Sequence, residues 1–322
     1  MESIGGYFEL ELGGPLQLPY PECVLFESAR SAFLALLRAA RPVRVWVPNF
    51  ICNAMLTPLK TEEIDVVWYD LEYDLTVDGR VEIDSGDWLL YVNYFGLCDS
   101  QVEQTLSRFG SNRVVLDFSQ AYYSPPVSEA LATIYSPRKF FGIPDGGLIA
   151  CSIPLQPDVA TCNPVSVERM LHLIKRLGAE PEEGYSDYCR AEASLETLAP
   201  APMSRLTRRI LTSIDFESAR KKRRENFLFL DEHLGDANQF TFPDRHNEAP
   251  LCYPFRTSNN YLRQKLINRR IFVATYWLDS KPRVGERWAA EMVSNLLPLP
   301  IDQRYGSEDL QRVVAEVLEG SL

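Results

Sequence analysis

Short apolar runs rich in β-branched and aromatic residues alternate with longer amphipathic stretches through the first half of the chain. Several runs are apolar throughout, which is typical of strands in a sheet covered on both faces. They predict strands at Cys23–Phe26, Val43–Val47, Ile64–Tyr69, Trp88–Asn93, Arg113–Asp117, Ala132–Tyr135 and Leu148–Cys151. The stretches between them predict helices at Ser31–Ala40, Ile51–Leu59 and Gln101–Phe109. This alternation predicts βαβ units and a mainly parallel sheet, hence an α/β fold.

The middle of the chain has a different composition. Residues 153–205 are rich in proline, serine and acidic residues, and they predict two short helices, Val167–Leu177 and Tyr188–Thr197. We interpret this part as an excursion over the surface of the first unit. A long helix is predicted from about Asp215 to His233, and its basic run Arg220–Arg224 is interpreted as a solvated face. A nuclear address or an anion-binding patch is the alternative for that run.

The C-terminal part predicts a small α/β unit. Its predicted strands are Ala249–Phe255 and Ile271–Ala274, and its predicted helices are Asn259–Arg269, Arg287–Leu296 and Ser307–Leu318. Prolines in the segment 296–300 exclude a central strand, because proline has no N–H to donate, so we expect an extended edge segment there. We therefore expect a large domain at residues 1–210 and a small C-terminal α/β domain at 211–322.

Composition and charge narrow the class of protein. The chain has 322 residues, of which 46% are hydrophobic and 24% charged, so a globular protein of about two domains is expected. A net charge of −11 disfavours nucleic acid and anionic membranes as partners. No apolar run approaches the ~18 residues of a membrane span, and the first residues show no signal-peptide pattern. Seven cysteines without a C-x-x-C pair favour the reducing cytoplasm, and no metal site is expected.

The first candidate segment for binding is Phe26–Ala32, where a predicted strand meets a predicted helix. Small residues at such a turn let backbone N–H groups approach a phosphate, and a helix N-terminus favours an anion. Arg30 and Ser31 add a charge and a hydroxyl group. An ordinary serine cap of the helix is the alternative.

The second candidate segment is Val114–Ala121, an apolar run that ends at Asp117. Ligands of parallel α/β sheets bind at the carboxyl ends of the strands, so Asp117 is placed to hold a cation, a metal or a protonated ring nitrogen. Gln120 can hydrogen-bond a ligand oxygen. The alternative for Asp117 is an Asx turn or a helix cap.

The third candidate segment runs from Ile134 to Leu148 and contains one lysine, Lys139. Prolines stiffen this loop, and the glycine pair Gly146–Gly147 allows close backbone approach. The neighbouring Phe140 and Phe141 are expected to exclude water, and in such surroundings a lysine amine acts as a nucleophile. A surface lysine in a β-turn is the alternative.

In their order and spacing, these segments resemble the DegT/DnrJ/StrS family of pyridoxal-phosphate-dependent aminotransferases. The resemblance rests on Asp-x-x-Gln-Ala at a strand end, followed by a lysine 22 residues after the aspartate and then by Gly-Gly. Four other stretches look similar to segments of the family. Ser28–Ala32 resembles its phosphate loop, and Val47–Cys52 resembles the stretch after the next strand. Val92–Gly96 resembles a strand that ends in an aromatic residue and glycine, and Leu297–Pro300 resembles its terminal proline-rich strand. The likeness is good over about 25–150 and loose over about 205–320.

The resemblance implies the aspartate aminotransferase fold, fold type I, and pyridoxal 5'-phosphate as the cofactor. Lys139 would then form the Schiff base with the cofactor, Asp117 would pair with the ring nitrogen, and Gln120 would contact the phenolic oxygen. The expected phosphate ligands are Ala29, Arg30 and Ser31, with Ser136 or Thr133 in place of a family serine that is Ile134 here. The position of the aromatic residue that stacks on the ring aligns with Cys52, and Phe50 lies two residues earlier.

The resemblance also implies an activity and partners. The enzyme would move an amino group from an amino acid donor to a keto acceptor, such as a nucleotide-linked keto-sugar for polysaccharide biosynthesis. A cytoplasmic homodimer is expected, because sites in this fold lie at the subunit interface. Arg256 and Arg304 are candidates to bind the donor's carboxylate, and Tyr122–Tyr123 are candidates to line the acceptor pocket. Tyr276–Trp277 are interpreted as core or interface residues rather than site residues.

Two departures from the family pattern leave alternatives open, and one of them is the family serine that is Ile134 here. The family's Asn-Tyr-Arg-Met-Ser is replaced by Ala199–Ser204, which lacks the asparagine that reaches the phosphate of the partner subunit. This loss favours a degenerate member that binds a sugar nucleotide or a partner without turnover. A pyridoxal-phosphate-dependent sugar lyase is the other alternative. Lys139 argues against the lyase, because dehydration in the family goes with a histidine at that position.

Overall fold

A seven-stranded mixed sheet forms the centre of the protein. The computed structural model describes residues 9–158, 164–196, 199–243, 249–284 and 288–319, and within them the strand order is β1-β7-β6-β5-β4-β2-β3. The strands are β1 (Val24–Phe26), β2 (Arg44–Pro48), β3 (Asp65–Tyr69), β4 (Trp88–Val92), β5 (Val114–Asp117), β6 (Ala132–Tyr135) and β7 (Gly147–Cys151). Every predicted strand of the first half is confirmed to within one residue at each end, because these runs are buried and strongly apolar.

The central strands run parallel and end together. Strand β4 pairs in parallel with β2 and β5, and β5 pairs in parallel with β6, whereas β7 is antiparallel to both β6 and β1. The mainly parallel α/β sheet is therefore confirmed. The register places Asp117 of β5 opposite Val92 of β4 and Ile134 of β6. The carboxyl ends of these three strands consequently lie side by side.

Helices cover the sheet and join its strands. Helix α1 (Ala29–Ala40) contacts β1, β6 and β7, α2 (Leu56–Thr61) contacts α1, and α3 (Asp99–Phe109) contacts β4 and β5. Helix α1 begins at the capping residue Ser28 and ends at Arg41, which takes the left-handed conformation with φ 45°. Its leucine- and alanine-rich face is buried, so packing and propensity favour the same helix.

Four α-helices lie in the described parts of residues 164–196 and 199–234. They are α4 (Leu171–Gly178), α5 (Pro181–Ser194), α6 (Arg205–Leu211) and α7 (Phe216–Leu234). Helix α5 begins seven residues before the predicted Tyr188, because Glu180 and Glu183 form a reciprocal capping box and Pro181 occupies the first turn. The predicted end of this helix at Thr197 lies outside the described residues. Helix α6, which the sequence pattern missed, begins at the capping residue Ser204.

The C-terminal part contains a two-stranded antiparallel sheet of β8 (Tyr253–Arg256) and β9 (Leu296–Leu299). Pro254 lies opposite Pro298, which such a short edge ladder tolerates, so the predicted edge segment is confirmed. Around this sheet lie α8 (Leu262–Asn268), α9 (Lys281–Val284), α10 (Trp288–Asn295) and α11 (Ser307–Glu319). Helix α11 packs on α7 and α8.

The predicted strand Ile271–Ala274 is wrong. Its residues form an irregular segment after Arg270, whose φ of 59° breaks the chain direction. Ile271 and Val273 are buried whereas Phe272 is exposed, so the alternating pattern of a strand is present. The segment nevertheless has no ladder, because β8 pairs with β9 instead.

Among the residues that the structure describes, no helix is long and apolar enough to cross a membrane.

Candidate functional site

The glycine pair Gly146–Gly147 joins the candidate segments at one edge of the sheet. The Gly146 N–H donates to the Glu27 carbonyl at 2.6 Å, and a Cβ on Gly147 would lie 2.1 Å from the carbonyl carbon of Ser28. Only glycine permits that approach. The first turn of α1 therefore lies against the start of β7, close to the loop that carries Lys139.

A serine caps the N-terminus of α1, and this cap is part of the candidate anion site. The Ser28 hydroxyl accepts the Ser31 N–H at 3.1 Å and lies 3.0 Å from the Ser31 hydroxyl. The alternative of a serine cap is thus confirmed, with Ser28 as the capping residue. The N–H groups of Ala29 and Arg30 belong to the first turn, where a helix supplies no acceptor of its own. They remain suited to an anion.

The guanidinium of Arg30 lies at the same helix end. Burial lowers its pKa, the nearby Glu192 carboxylate opposes this shift, and Arg138 adds to it. Within the described part of the chain, no acceptor forms a hydrogen bond or an ion pair with this guanidinium. The guanidinium of Arg30 and the first-turn N–H groups of α1 are together the kind of donors that bind a phosphate group.

Asp117 and Gln120 are buried at the end of β5, and local bonds orient both side chains. The Asp117 Oδ1 atom accepts the Ser119 N–H at 2.8 Å, which is the Asx turn expected as the alternative. This turn fixes the carboxylate at the strand end. The Gln120 Oε1 atom accepts the N–H of Phe95 at 2.7 Å, so its amide nitrogen is the group that remains to donate.

The side chain at the position that aligns with the family's stacking residue is the thiol of Cys52. Burial raises its pKa most, the charge of Lys139 lowers it, and the charge of Asp117 raises it. The ring of Phe50 stacks on Tyr94 with centroids 5.5 Å apart and contacts Trp277 at 4.5 Å. The two candidates for the stacking position therefore have different surroundings.

Lys139 ends a short 3-10 turn, 137–139, and lines a cavity of about 620 Å³. The expectation that Phe140 and Phe141 cover this lysine is wrong. Both rings pack into the interior against Tyr122, with centroids 5.7 and 5.2 Å apart, whereas Lys139 is exposed. The turn directs successive side chains apart, so the amine faces the cavity and the rings anchor the loop.

Ser136 precedes the turn, and its carbonyl accepts the Lys139 N–H at 3.1 Å. Its side chain is half-buried at the end of β6. Ile134 is fully buried in the sheet opposite Asp117, so the side chain at the family's serine position faces the core. Contact of Ser136 with a phosphate stays a prediction.

The other candidate residues from the sequence differ in whether they line the Lys139 cavity. Arg304 lines the Lys139 cavity, and its Nε and Nη2 atoms donate to the two oxygens of Asp302 at 2.7 and 2.9 Å. Tyr276 also lines this cavity, contrary to its interpretation as a core residue alone. Arg256 forms an ion pair with Glu291 and lies outside the cavity wall. Tyr122 and Tyr123 pack with Phe140 and Phe141 beneath the Lys139 loop rather than on the cavity wall.

Arg223 is a buried residue of the cavity wall that the sequence analysis missed. The prediction that residues 220–224 form a solvated face is wrong at this position, where the side chain is 2% exposed. Its guanidinium donates to the Gln303 side chain at 3.0 Å, the Leu251 carbonyl at 3.2 Å and the Phe140 carbonyl at 3.3 Å. Burial lowers its pKa. Gln303 also donates to the Phe140 carbonyl, at 3.0 Å, so two side chains hold the residue that follows Lys139.

A signal for Arg223 was present in the sequence. Ala219, Phe227 and Leu230 lie on the buried face of α7, four residues before and four and seven residues after it. Arg223 therefore continues a helical apolar stripe and is the buried member of a basic run.

Within the described ranges, no cluster of three histidine, cysteine or acidic residues has the arrangement of a metal site.

The order and direction of the strands define an architecture. This fold is similar to the fold type I architecture of solved sugar aminotransferases. One similar solved structure is Spr1654 from Streptococcus pneumoniae, described as a sugar aminotransferase in its PMP form. The match has a TM-score of 0.63 and 17% identity over 94% of this chain and 88% of that chain.

Two other solved structures show the same likeness. The sugar aminotransferase CalS13 from Micromonospora echinospora matches with a TM-score of 0.61 and 15% identity, over 93% of this chain and 88% of that chain. DesI, solved in the presence of its TDP-sugar product, matches with a TM-score of 0.65 and 17% identity, over 93% and 80%. No protein-family model and no curated protein sequence matches the chain. The shared property is the fold.

Proposed function

We propose that the protein is a pyridoxal-phosphate-dependent aminotransferase. The observation that carries this proposal is that Asp117 and Lys139 follow two neighbouring parallel strands, with Asp117 at the end of β5 and Lys139 in the turn after β6, at the carboxyl edge of the sheet. The N-terminus of α1, with the unpaired guanidinium of Arg30, supplies an anion site at the same edge. A reactive amine, a buried carboxylate and a phosphate cradle are the three groups that this cofactor requires.

The residues present fit the cofactor. Ala29, Arg30 and Ser31 would hold its phosphate, Asp117 its ring nitrogen, and the Gln120 amide nitrogen its phenolic oxygen. When bound, pyridoxal phosphate supplies a conjugated ring that accepts the electrons released at the substrate's carbon.

The proposed catalytic work of the chain falls to two side chains. The Asp117 carboxylate, held in place by the Ser119 N–H, keeps a proton on the ring nitrogen. The Lys139 Nζ atom lines the cavity, where it would move a proton from the donor's carbon to the cofactor in the first half-reaction and from the cofactor to the acceptor's carbon in the second. Arg223 and Gln303 hold the Lys139 loop through the Phe140 carbonyl.

The proposed acceptor is a keto-sugar linked to a nucleotide, used for polysaccharide biosynthesis. DesI, which shares this fold, was solved with its TDP-sugar product, and DesV from S. venezuelae is a further structure of the same fold. The cavity next to Lys139 has the volume of a drug-sized ligand site and a wall of cationic and aromatic side chains.

We also propose a homodimer. Val167, Leu171 and Ile174 are exposed by 70, 43 and 57%, and their spacing of four and three residues forms one stripe along α4 and the turn before it. A contiguous apolar stripe of this kind marks an interaction surface, and a second copy of the chain is the partner that the fold favours.

The cytoplasm is the compartment that we propose. The six described cysteines are free thiols, which a reducing compartment maintains.

Covalent labelling tests the cofactor assignment. Pyridoxal phosphate should give the purified protein a new absorbance band, and borohydride should then fix the cofactor on Lys139, as peptide mass mapping will show. Lys139→Ala should lose the label and nearly all transamination, whereas Lys221→Ala, an exposed control on α7, should keep both. Asp117→Asn should keep the label and lower the transamination rate at least ~100-fold, because an amide cannot hold the ring proton.

Other labelling results would contradict these assignments. Label on another lysine, or equal labelling of Lys139→Ala, contradicts the proposed role of Lys139. No label on the parent protein leaves only the non-catalytic alternative, a scaffold of this fold that binds a ligand.

A further inference from the structure

The cavity beside Lys139 has two carboxylates in its wall, and both are already paired. Asp302 forms two hydrogen bonds with Arg304. Glu182 forms an ion pair with Arg270 at 2.9 Å. Neither carboxylate is therefore placed to compensate a further cation at the mouth of the cavity.

Arg176 is such a cation. It lies in the last turn of α4, is exposed, and lines the cavity. Among the described residues, its guanidinium has no hydrogen-bond or ion-pair partner. Its neighbours differ, because Lys175 and Arg190 both pair with Asp187. Arg176 is thus the basic group on this helix pair whose fork of donors is available to a ligand.

The other cations of the cavity are less suited to bind a substrate anion. The donors of Arg223 are already used by carbonyl oxygens and Gln303, and its guanidinium is buried. Arg304 is held by Asp302. Lys139 serves the cofactor in the proposed function. Among the cations in the cavity wall, Arg176 is therefore the one best placed to bind a substrate anion.

Two exposed aromatic side chains share this cavity. Tyr185 of α5 is 65% exposed, and Phe272 is 50% exposed in the segment after Arg270. Arg270 links these two walls, because its guanidinium pairs with Glu180 and Glu182 at the start of α5. A ligand with a flat or apolar group would cover both rings and remove their apolar surface from water.

We infer that this cavity binds the substrate through an anionic oxyacid group held by Arg176, with the apolar part of the substrate against Tyr185 and Phe272. The inference rests on the proposed aminotransferase function, which makes the Lys139 cavity the substrate site. A guanidinium binds carboxylate and phosphate in the same two-pronged geometry, so the anion belongs either to the amino donor or to the acceptor.

Equilibrium binding tests the inference without any turnover. Calorimetry on the full chain, with and without pyridoxal phosphate, would use three probes: uridine diphosphate, inorganic phosphate and the dicarboxylate succinate. Arg176→Met should weaken the binding of one or more probes by about 10–100-fold, the loss expected for a charge-assisted bidentate contact. Arg190→Met is the matched control, because it removes another exposed arginine of the same helix pair that lies outside the cavity wall.

The pattern of losses identifies the source of the anion. Loss for uridine diphosphate alone assigns Arg176 to the phosphates of the acceptor, and tighter binding of this probe than of inorganic phosphate supports the role of the aromatic rings. Loss for succinate alone assigns Arg176 to the carboxylate of the donor. Equal binding of every probe by the two variants, or no binding by the parent protein, overturns the inference.

The cofactor measurement keeps this test separate from the proposed function. A chain that takes up no pyridoxal phosphate but loses probe binding in Arg176→Met contradicts the aminotransferase and supports the anion site. A chain that is labelled on Lys139 and is indifferent to Arg176→Met supports the enzyme and overturns the anion site.

Discussion

At the residue scale, the site combines polar groups that local rules place with others that only tertiary contacts place. Ser28 and Asp117 obey familiar local patterns, a helix cap and an Asx turn, and both patterns were open alternatives in the sequence. Those local roles are compatible with ligand binding, because the cap leaves first-turn N–H groups free and the turn uses one carboxylate oxygen. Arg223 belongs to the second kind, since its acceptors lie at residues 140, 250, 251 and 303.

Arg223→Met should lower the free energy of unfolding by about 2–4 kcal/mol. The reason is that the Leu251 carbonyl loses the Arg223 donor and the Phe140 carbonyl keeps only the donor from Gln303. Urea denaturation monitored by circular dichroism measures this change. Lys221→Met, an exposed member of the same basic run, should shift the value by no more than about 0.5 kcal/mol. Equal stability of the two variants would show that the burial of Arg223 contributes nothing to folding.

At the scale of elements, short loops bring distant segments into the site. The turn 137–139 turns Lys139 toward the cavity while Phe140 and Phe141 anchor the loop below. Gly147 permits the contact between the start of β7 and the start of α1. Helices α4 and α5 then form one wall of the cavity and expose an apolar stripe on their surface. These two helices were predicted as short helices, but their place beside Lys139 was not.

The apolar stripe on α4 predicts which substitutions weaken the proposed dimer. The double variant Leu171→Asp, Ile174→Asp should weaken self-association at least tenfold, because it places two charges in a buried interface. Sedimentation velocity over a range of concentrations measures the effect. Leu228→Asp is the matched control, since it changes an equally exposed leucine on α7 and should leave the dimer intact. A parent protein that stays monomeric at every concentration contradicts the proposed homodimer.

At the scale of the whole molecule, the core holds many phenols that burial keeps neutral. Burial raises the pKa of six tyrosines well above 10: Tyr69, Tyr91, Tyr94, Tyr122, Tyr135 and Tyr276. Arg223 joins the Lys139 loop to the segment before β8, across the predicted division between residues 1–210 and 211–322. The division itself stays a prediction.

The buried phenols predict cooperative unfolding in alkali. The unfolded chain releases these protons near pH 10, whereas the folded chain retains them, so their stabilising contribution is full below pH 10 and is lost as the pH rises further. The slope is about 1.4 kcal/mol per pH unit for each tyrosine. Thermal unfolding at pH 8 to 11, with tyrosinate absorbance recorded in parallel, measures it. Tyrosinate absorbance of all six phenols in a fully folded protein at pH 10 contradicts the prediction.

One variant isolates the contribution of a single phenol. The Tyr122 hydroxyl is buried without a hydrogen-bond partner in the described structure. Tyr122→Phe should therefore stabilise the protein more at pH 11 than at pH 8, because the unfolded variant has one proton fewer to release. Tyr261→Phe, which changes an 83% exposed side chain, should show no such difference.

The hydrophobic pattern of the sequence determined the sheet, because strands buried on both faces must be apolar along their whole length. It also placed Asp117 at a strand end and Lys139 on the next loop, since strand ends follow directly from the pattern. The pattern failed at Ile271–Ala274 and at Arg223, where the outcome depends on partners far along the chain. Only the tertiary structure decided which cations the cavity exposes, because the pairing of Lys175 with Asp187 and of Arg223 with the Leu251 carbonyl is set by distance in space rather than by distance in sequence.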